Sequence, residues 1–145
     1  MAEIFSEKLW DHLRNPRNTG YLPDSNVMAQ AGDPEDGAAV LYLLEIEGKT
    51  VRNMKFLARG CAVAVAASSV ATELVIGKSL DEVLALDPQA IADALGGLPP
   101  EKMYCPEMTV AALHAAVKEH QTRREPAPST SGHFPFAPRK KRLKR

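Results

Sequence analysis

A chain of 145 residues, 45% hydrophobic and 25% charged, has enough apolar surface for one domain with a core and is short for two. No apolar run approaches the roughly 20 residues of a membrane-spanning helix, and the start "MAEIFSEKLWDHL" carries acids where a signal peptide would be basic. A cytoplasmic protein with no membrane partner is expected, and its two cysteines, Cys61 and Cys105, read as free thiols or metal ligands rather than a secreted disulfide framework.

Apolar Ile4, Leu9 and Leu13, with Phe5 and Trp10, recur at helical spacing and predict a short amphipathic helix that "NPRNTGY" stops. "AAVLYLLEIEG" and "TVRNMKFLARG" flank the turn "EGKT" and predict an antiparallel hairpin, to which "NVMAQAG" adds a third strand. From Ala62 to Ile76 the chain is mostly Ala, Val, Leu and Ser, a largely buried helix that Gly77 terminates. "SLDEVLAL" and "DPQAIADAL" open on Ser and Asp-Pro, both helix-start signals, and predict two short helices. A last helix over "PEMTVAALHAAVKEH" tolerates Pro106 in its first turn and gathers Val110, Leu113 and Val117 on one face. The fold class is therefore α+β: a small three-stranded antiparallel sheet with helices packed on one face.

The zero net charge conceals an asymmetry: residues 1–124 hold 12 basic and 17 acidic side chains, and residues 125–145 hold 6 basic and one acidic. The segment "EPAPSTSGHFPFAPRKKRLKR" has too little apolar periodicity to offset its ordering entropy, so residues 1–124 are expected to form the domain and 125–145 a disordered basic tail. With no basic motif inside the domain, the tail reads as solvated, and nucleic acid is not the expected partner.

Both cysteines fall at predicted helix starts, where unpaired N–H groups and the macrodipole favour a thiolate that is nucleophilic and a soft-metal ligand. From position alone, each could equally be a small buried hydrophobe. The loop "GDPEDGAA" crowds Asp33, Glu35 and Asp36 among glycines; it is either a carboxylate addition to a thiolate metal shell or an ordinary solvated turn. His12 reads as packing or surface, and His114, His120 and His133 lack ligand spacing. Zinc-ribbon, zinc-protease, dinucleotide and P-loop motifs are all missing.

Taken in order, "DHLRNPRNTGYL", "GDPEDG", "RGCAVAVAASSVATELVIGKSLDEVLAL" and "LPPEKMYC" resemble the IscU/NifU-type iron–sulfur cluster assembly scaffold family over nearly all of residues 3–122. The 43 residues between Cys61 and Cys105 leave no room for the insertion of the zinc-binding SufU-type branch. The resemblance implies a scaffold or carrier, not an enzyme: it accepts sulfur from a cysteine desulfurase, combines it with iron into a [2Fe–2S] cluster and passes this to acceptor apo-proteins. It implies cofactor and metal binding by Cys61, Cys105 and Asp36, with zinc a possible surrogate.

By the same resemblance, Asp36 stands where the family has a cysteine, Ala38 where it has an aspartate and Tyr104 where it has a histidine. Ala38 would favour holding a cluster over releasing it. A [2Fe–2S] cluster normally takes four ligands, and two chains in a homodimer would supply Cys61 and Cys105 each. Tyr104, with an ordinary pKa near 10, reads as packing rather than as a ligand. Cys105, at the exposed start of the last helix, is the implied sulfur acceptor. "LPPEK", Leu98 to Lys102, resembles the segment by which an Hsp70-type chaperone recognises family members, with Glu101 in place of an apolar residue. A non-cluster adaptor of the same fold and a mononuclear zinc or iron protein are the alternatives.

Overall fold

Alternating side chains on three antiparallel strands divide the molecule into two unequal apolar layers. The strands are β1 (Val27–Asp33), β2 (Ala38–Glu47) and β3 (Thr50–Gly60), paired in the order β1-β2-β3 in a computed structural model that describes residues 5–33, 35 and 38–122. The hairpin of β2 and β3 turns through Gly48 and Lys49, and Gly48 takes the left-handed φ of +63° that a two-residue turn asks of its first central residue. A register shift between Glu45 and Ile46 pairs Ile46 with Val51 instead of the next residue in step. That bulge lets Val51 and Met54, three apart, both face the same core, where strict alternation would have turned one away.

The inner face carries Val27, Val40, Tyr42, Leu44, Ile46, Met54 and Phe56 into the main core with the helices. On the other face Leu41 and Leu43 are sealed by Leu22, with Met28 and Leu57 packed beside them. The expected α+β arrangement, helices on one sheet face, is the one observed.

Among the described residues the sheet is joined by five α-helices: α1 (Glu7–Arg14), α2 (Ala62–Val75), α3 (Leu80–Ala85), α4 (Pro88–Ala94) and α5 (Tyr104–Thr122). Helix α2 buries Val63, Ala64, Ala66, Ala67, Ser68, Ser69, Val70, Ala71, Thr72 and Val75, residues from every side of the helix, which its lack of charged residues before Glu73 permits. Ser79 and Glu82 form a reciprocal capping box on α3, and Asp87 caps α4 ahead of Pro88. Val110, Leu113 and Val117 of α5 are buried together, as their spacing predicts. The sequence pattern did not reveal the 3₁₀ turn at Pro100–Lys102, which Met103 joins to α5. No helix among the described residues is long and apolar enough to cross a membrane. The basic tail lies outside the described residues.

Polar contacts dock α1 onto α2 and α4. Ser6 accepts from the Leu9 N–H as the α1 cap, and its own hydroxyl donates to the Leu95 carbonyl at the end of α4. His12, buried as a packing residue, places Nδ1 2.7 Å from Ser69 Oγ and Nε2 3.5 Å from Glu73. The backbone N–H of Arg17 donates to the same Ser69 oxygen at 2.9 Å, so Ser69 ties both His12 and the segment after α1 to α2. Arg17 spans Asp11 at 2.6 Å and Glu73 at 3.4 Å.

Two outcomes test this docking. Burial, aided by the Arg17 charge and opposed by Glu73 and Asp11, holds the His12 pKa below its ordinary value of 6.5. The folded state therefore prefers neutral His12, and stability present above pH ~6.5 is lost as pH falls toward the lower folded value. Urea midpoints measured across that interval should decline in the wild type and decline less in His12→Gln; equal slopes would remove His12 from the account. Gly96 has a φ of +83°, and a Cβ there would come within 2.6 Å of Ser6 Cβ, so Gly96→Ala should lower stability by about 1–3 kcal/mol with an unchanged denaturant slope.

Candidate functional site

Helices α2 and α5 are held in register by one buried phenol. The Tyr42 hydroxyl lies 2.8 Å from Ser68 Oγ on α2 and 2.8 Å from Thr109 Oγ1 on α5. Burial raises its pKa to about 12, against the two hydroxyl contacts that pull it down, so it remains a neutral hydrogen-bonding group. Ser68 is two helical turns after Cys61 and Thr109 is one turn after Cys105. Both cysteines are thus carried on the same helix faces that meet at Tyr42, and both lie at the end of the sheet where β3 finishes.

Cys61 is the N-cap of α2, in extended backbone, and is half-buried. As a neutral thiol it makes no cap hydrogen bond of good geometry. Burial raises its pKa, yet the Ala64 N–H, the Tyr104 hydroxyl, the Val63 N–H and the Cys105 thiol together outweigh burial and leave it below the usual thiol value. The nearby N–H groups are the unpaired donors of the first helical turn, where an anionic sulfur is favoured.

Cys105 departs from the expectation. It is the second residue of α5, not an exposed cap, and it has no solvent exposure. Burial, then the nearby Cys61 charge, pushes its thiol up to about 12, so of the two helix-start thiols only Cys61 is shifted in favour of the anion. The reason is the earlier start of α5: with Tyr104 as first residue, Cys105 turns inward over Thr109, the residue one turn on that meets Tyr42.

Tyr104 is likewise not the packing residue expected. Its side chain is 48% exposed, which with Tyr21 makes it one of two exposed large hydrophobic residues among those described. Its hydroxyl donates to Cys61 Sγ at 3.8 Å and also interacts with the Cys105 thiol. Its pKa is raised to about 12, first by that bond to Cys61 and then by the sulfur charges, so it is a phenol and not a tyrosinate at neutral pH. No pattern in the sequence marks this contact; the missed signal for Tyr42 was the pair Ser68 and Ser69 inside an apolar helix, since buried hydroxyls need partners.

Of the three sequence-predicted ligands, the fold brings Cys61 and Cys105 together. Asp36 lies outside the described residues, although Ala38 pairs with both Asp33 and Gly60, which places the start of β2 beside the residue preceding Cys61. Among the described residues no group of three or more His, Cys, Asp and Glu side chains could hold a metal. His114 is bonded to the Leu86 carbonyl at 3.0 Å. A cavity of about 360 Å³ lined by Gly48, Lys49, Ser79, Asp81 and His120 opens at the hairpin tip, the opposite end of the sheet from the thiols, and contains neither. The "LPPEK" segment ends in the 3₁₀ turn two residues before Tyr104, with Pro100 and Glu101 exposed and Leu98 packed against the core.

The family model for the NifU-like N-terminal domain matches residues 4–127. Over 117 residues the chain is 37% identical to the iron–sulfur cluster assembly scaffold protein IscU 1 of Archaeoglobus fulgidus, covering 81% of this chain and 76% of that one. It is 39% identical over 122 residues to the iron–sulfur cluster assembly scaffold protein IscU of Aquifex aeolicus, covering 83% and 78%. Among solved structures, the N-terminal part of a nitrogen-fixing NifU-like protein from Brucella abortus superposes with a TM-score of 0.65 at 18% identity, covering 84% of this chain and 97% of that one.

The contrast between the two thiols is directly measurable. Brief treatment of the folded protein with iodoacetamide near neutral pH should label Cys61 at least about tenfold faster than Cys105, and denaturant should abolish the difference. Peptide mass spectrometry reads both rates, and comparable labelling in the folded state would contradict the assigned burial.

Proposed function

Because this chain belongs to the NifU-like N-terminal domain family, we propose that it is an iron–sulfur cluster assembly scaffold: it accepts sulfur and iron, holds the cluster as cargo and yields it to acceptor apo-proteins. The observation that carries this reading is the meeting of two thiols, from two separate helices, at one exposed phenol. Two adjacent sulfurs form a soft donor pair suited to iron in a cluster or to zinc as a surrogate.

Sulfur arrives as the persulfide of a cysteine desulfurase. A thiolate of this chain attacks the outer sulfur of that persulfide, the donor's S–S bond breaks, and the donor cysteine leaves as its thiolate. Cys61, half-buried and favoured as an anion, is better placed for this first attack than Cys105, the acceptor expected from family resemblance. Cys105 then serves chiefly as a ligand. For a [2Fe–2S] cargo the pair supplies two of four ligands, Asp36 is a third candidate, and a second copy of the chain would complete the shell with its own pair. The Leu98–Lys102 segment before Tyr104, whose Pro100 and Glu101 are exposed, is where an Hsp70-type chaperone would act on the loaded site.

Anaerobic incubation with ferrous iron, L-cysteine, a cysteine desulfurase and a dithiol reductant that converts the persulfide sulfur to sulfide tests the reading. Wild type should acquire the visible sulfide-to-iron absorption with iron and acid-labile sulfide in equal amounts, and Cys61→Ala and Cys105→Ala should not. A colourless, iron-free wild type would overturn the scaffold assignment, and stoichiometric zinc with no colour would replace it with a mononuclear site.

A further inference from the structure

Tyr104 occupies an unusual place for a half-exposed aromatic residue. A tyrosine ring at a helix start ordinarily lies on the surface with its hydroxyl in water. Here the ring folds back so that its hydroxyl donates to Cys61 Sγ at 3.8 Å while also interacting with Cys105. The hydroxyl is thus held against Cys61 Sγ, on the exposed side of the thiol pair. Cys105, beneath it, has no exposure at all, whereas Tyr104 above it is 48% exposed.

We propose that Tyr104 is a plug of the thiol pair: its hydroxyl is held at Cys61, and the ring must swing outward before a metal can bond to both Cys61 and Cys105. The inference rests on the reading of that pair as the metal-binding centre. Nothing beyond the side chain need move. Tyr104 is the first residue of α5, its ring is not part of the core, and the Tyr42 contact that anchors α5 lies one turn farther on at Thr109. On loading, a divalent metal displaces the Cys61 and Cys105 protons to solvent, two metal–sulfur bonds form, and the phenol keeps its own proton and exchanges its sulfur partner for water.

A plug and a ligand predict opposite signs. If Tyr104 were a metal donor, removing its oxygen would weaken binding. If it is a plug, removal deletes a competitor that the metal must first displace, at the level of one net hydrogen bond. Tyr104→Phe should therefore bind tighter by about 3- to 10-fold. The ring alone should still shield Cys105.

The test uses cadmium ion, whose thiolate bonds give an ultraviolet charge-transfer band, titrated into the full-length, metal-free protein against a competing chelator. Expected results are a 1:1 complex absent from Cys61→Ala and Cys105→Ala, the stated gain in affinity in Tyr104→Phe, and faster iodoacetamide labelling of Cys105 in Tyr104→Ala than in Tyr104→Phe. Thermal melting of each variant verifies that the fold is kept. Equal or weaker cadmium binding by folded Tyr104→Phe overturns the plug while leaving the scaffold reading intact. No cadmium binding by wild type and variants alike overturns both.

Discussion

Everything at the thiol end of the molecule depends on the hydroxyl of Tyr42. Placed at the centre of the middle strand, it is fully buried and would be a costly orphan without partners. Ser68 and Thr109 satisfy it, and in doing so they fix how far along their axes α2 and α5 may slide over the sheet. Apolar packing is tolerant of small sliding, since Ala and Val side chains at successive turns are nearly equivalent, whereas hydrogen bonds at 2.8 Å are not. The two short hydroxyl contacts therefore convert a general helix-on-sheet layer into one register, and that register is what makes Cys61 and Cys105 neighbours.

Being neighbours does not make them alike. Cys61 caps its helix and borrows the loose N–H groups of the first turn, so its anion is favoured despite partial burial. Cys105 lies one residue inside its helix and faces the core, so burial dominates and its proton is held to about 12. A single residue of helix phase decides between these outcomes. The pair is thereby divided into a reactive rim sulfur and a protected inner sulfur, an arrangement that lets one thiol meet a partner's chemistry while the other stays reduced and in place. Nearby charge reinforces the division, because an anion at Cys61 further disfavours ionisation at Cys105.

The strands, the buried helix, its glycine stop and the short capped helices were legible because each rests on local rules: alternation, capping chemistry and the φ a glycine can adopt. The two cysteines were also legible as a pair, through motif spacing that spans the whole domain. What could not be read was which way each sulfur points. The start of α5 moved from Pro106 to Tyr104 because a 3₁₀ turn over Pro100–Lys102 delivers the chain already wound, and local propensity does not forecast where such a turn hands over to a helix. That shift alone buried Cys105 and drew Tyr104 onto Cys61. The bulge at Glu45 and the Tyr42 junction were hidden for a related reason, since both are agreements between segments distant in sequence.

The site then has a firm base and an adjustable rim. Below, Tyr42, Ser68 and Thr109 are fully buried in the core, and moving either helix would break hydrogen bonds between groups shielded from water. Above, Tyr104 is held by one 3.8 Å contact to sulfur, weaker than an oxygen-to-oxygen bond, and its ring is already half in water. Any event that requires access to Cys105 will therefore be taken up at the rim, by rotation of one side chain, rather than by sliding of α2 or α5. A scaffold that must accept and later surrender its cargo gains from this division, because access to the inner sulfur at the rim leaves the Tyr42, Ser68 and Thr109 junction in the core untouched.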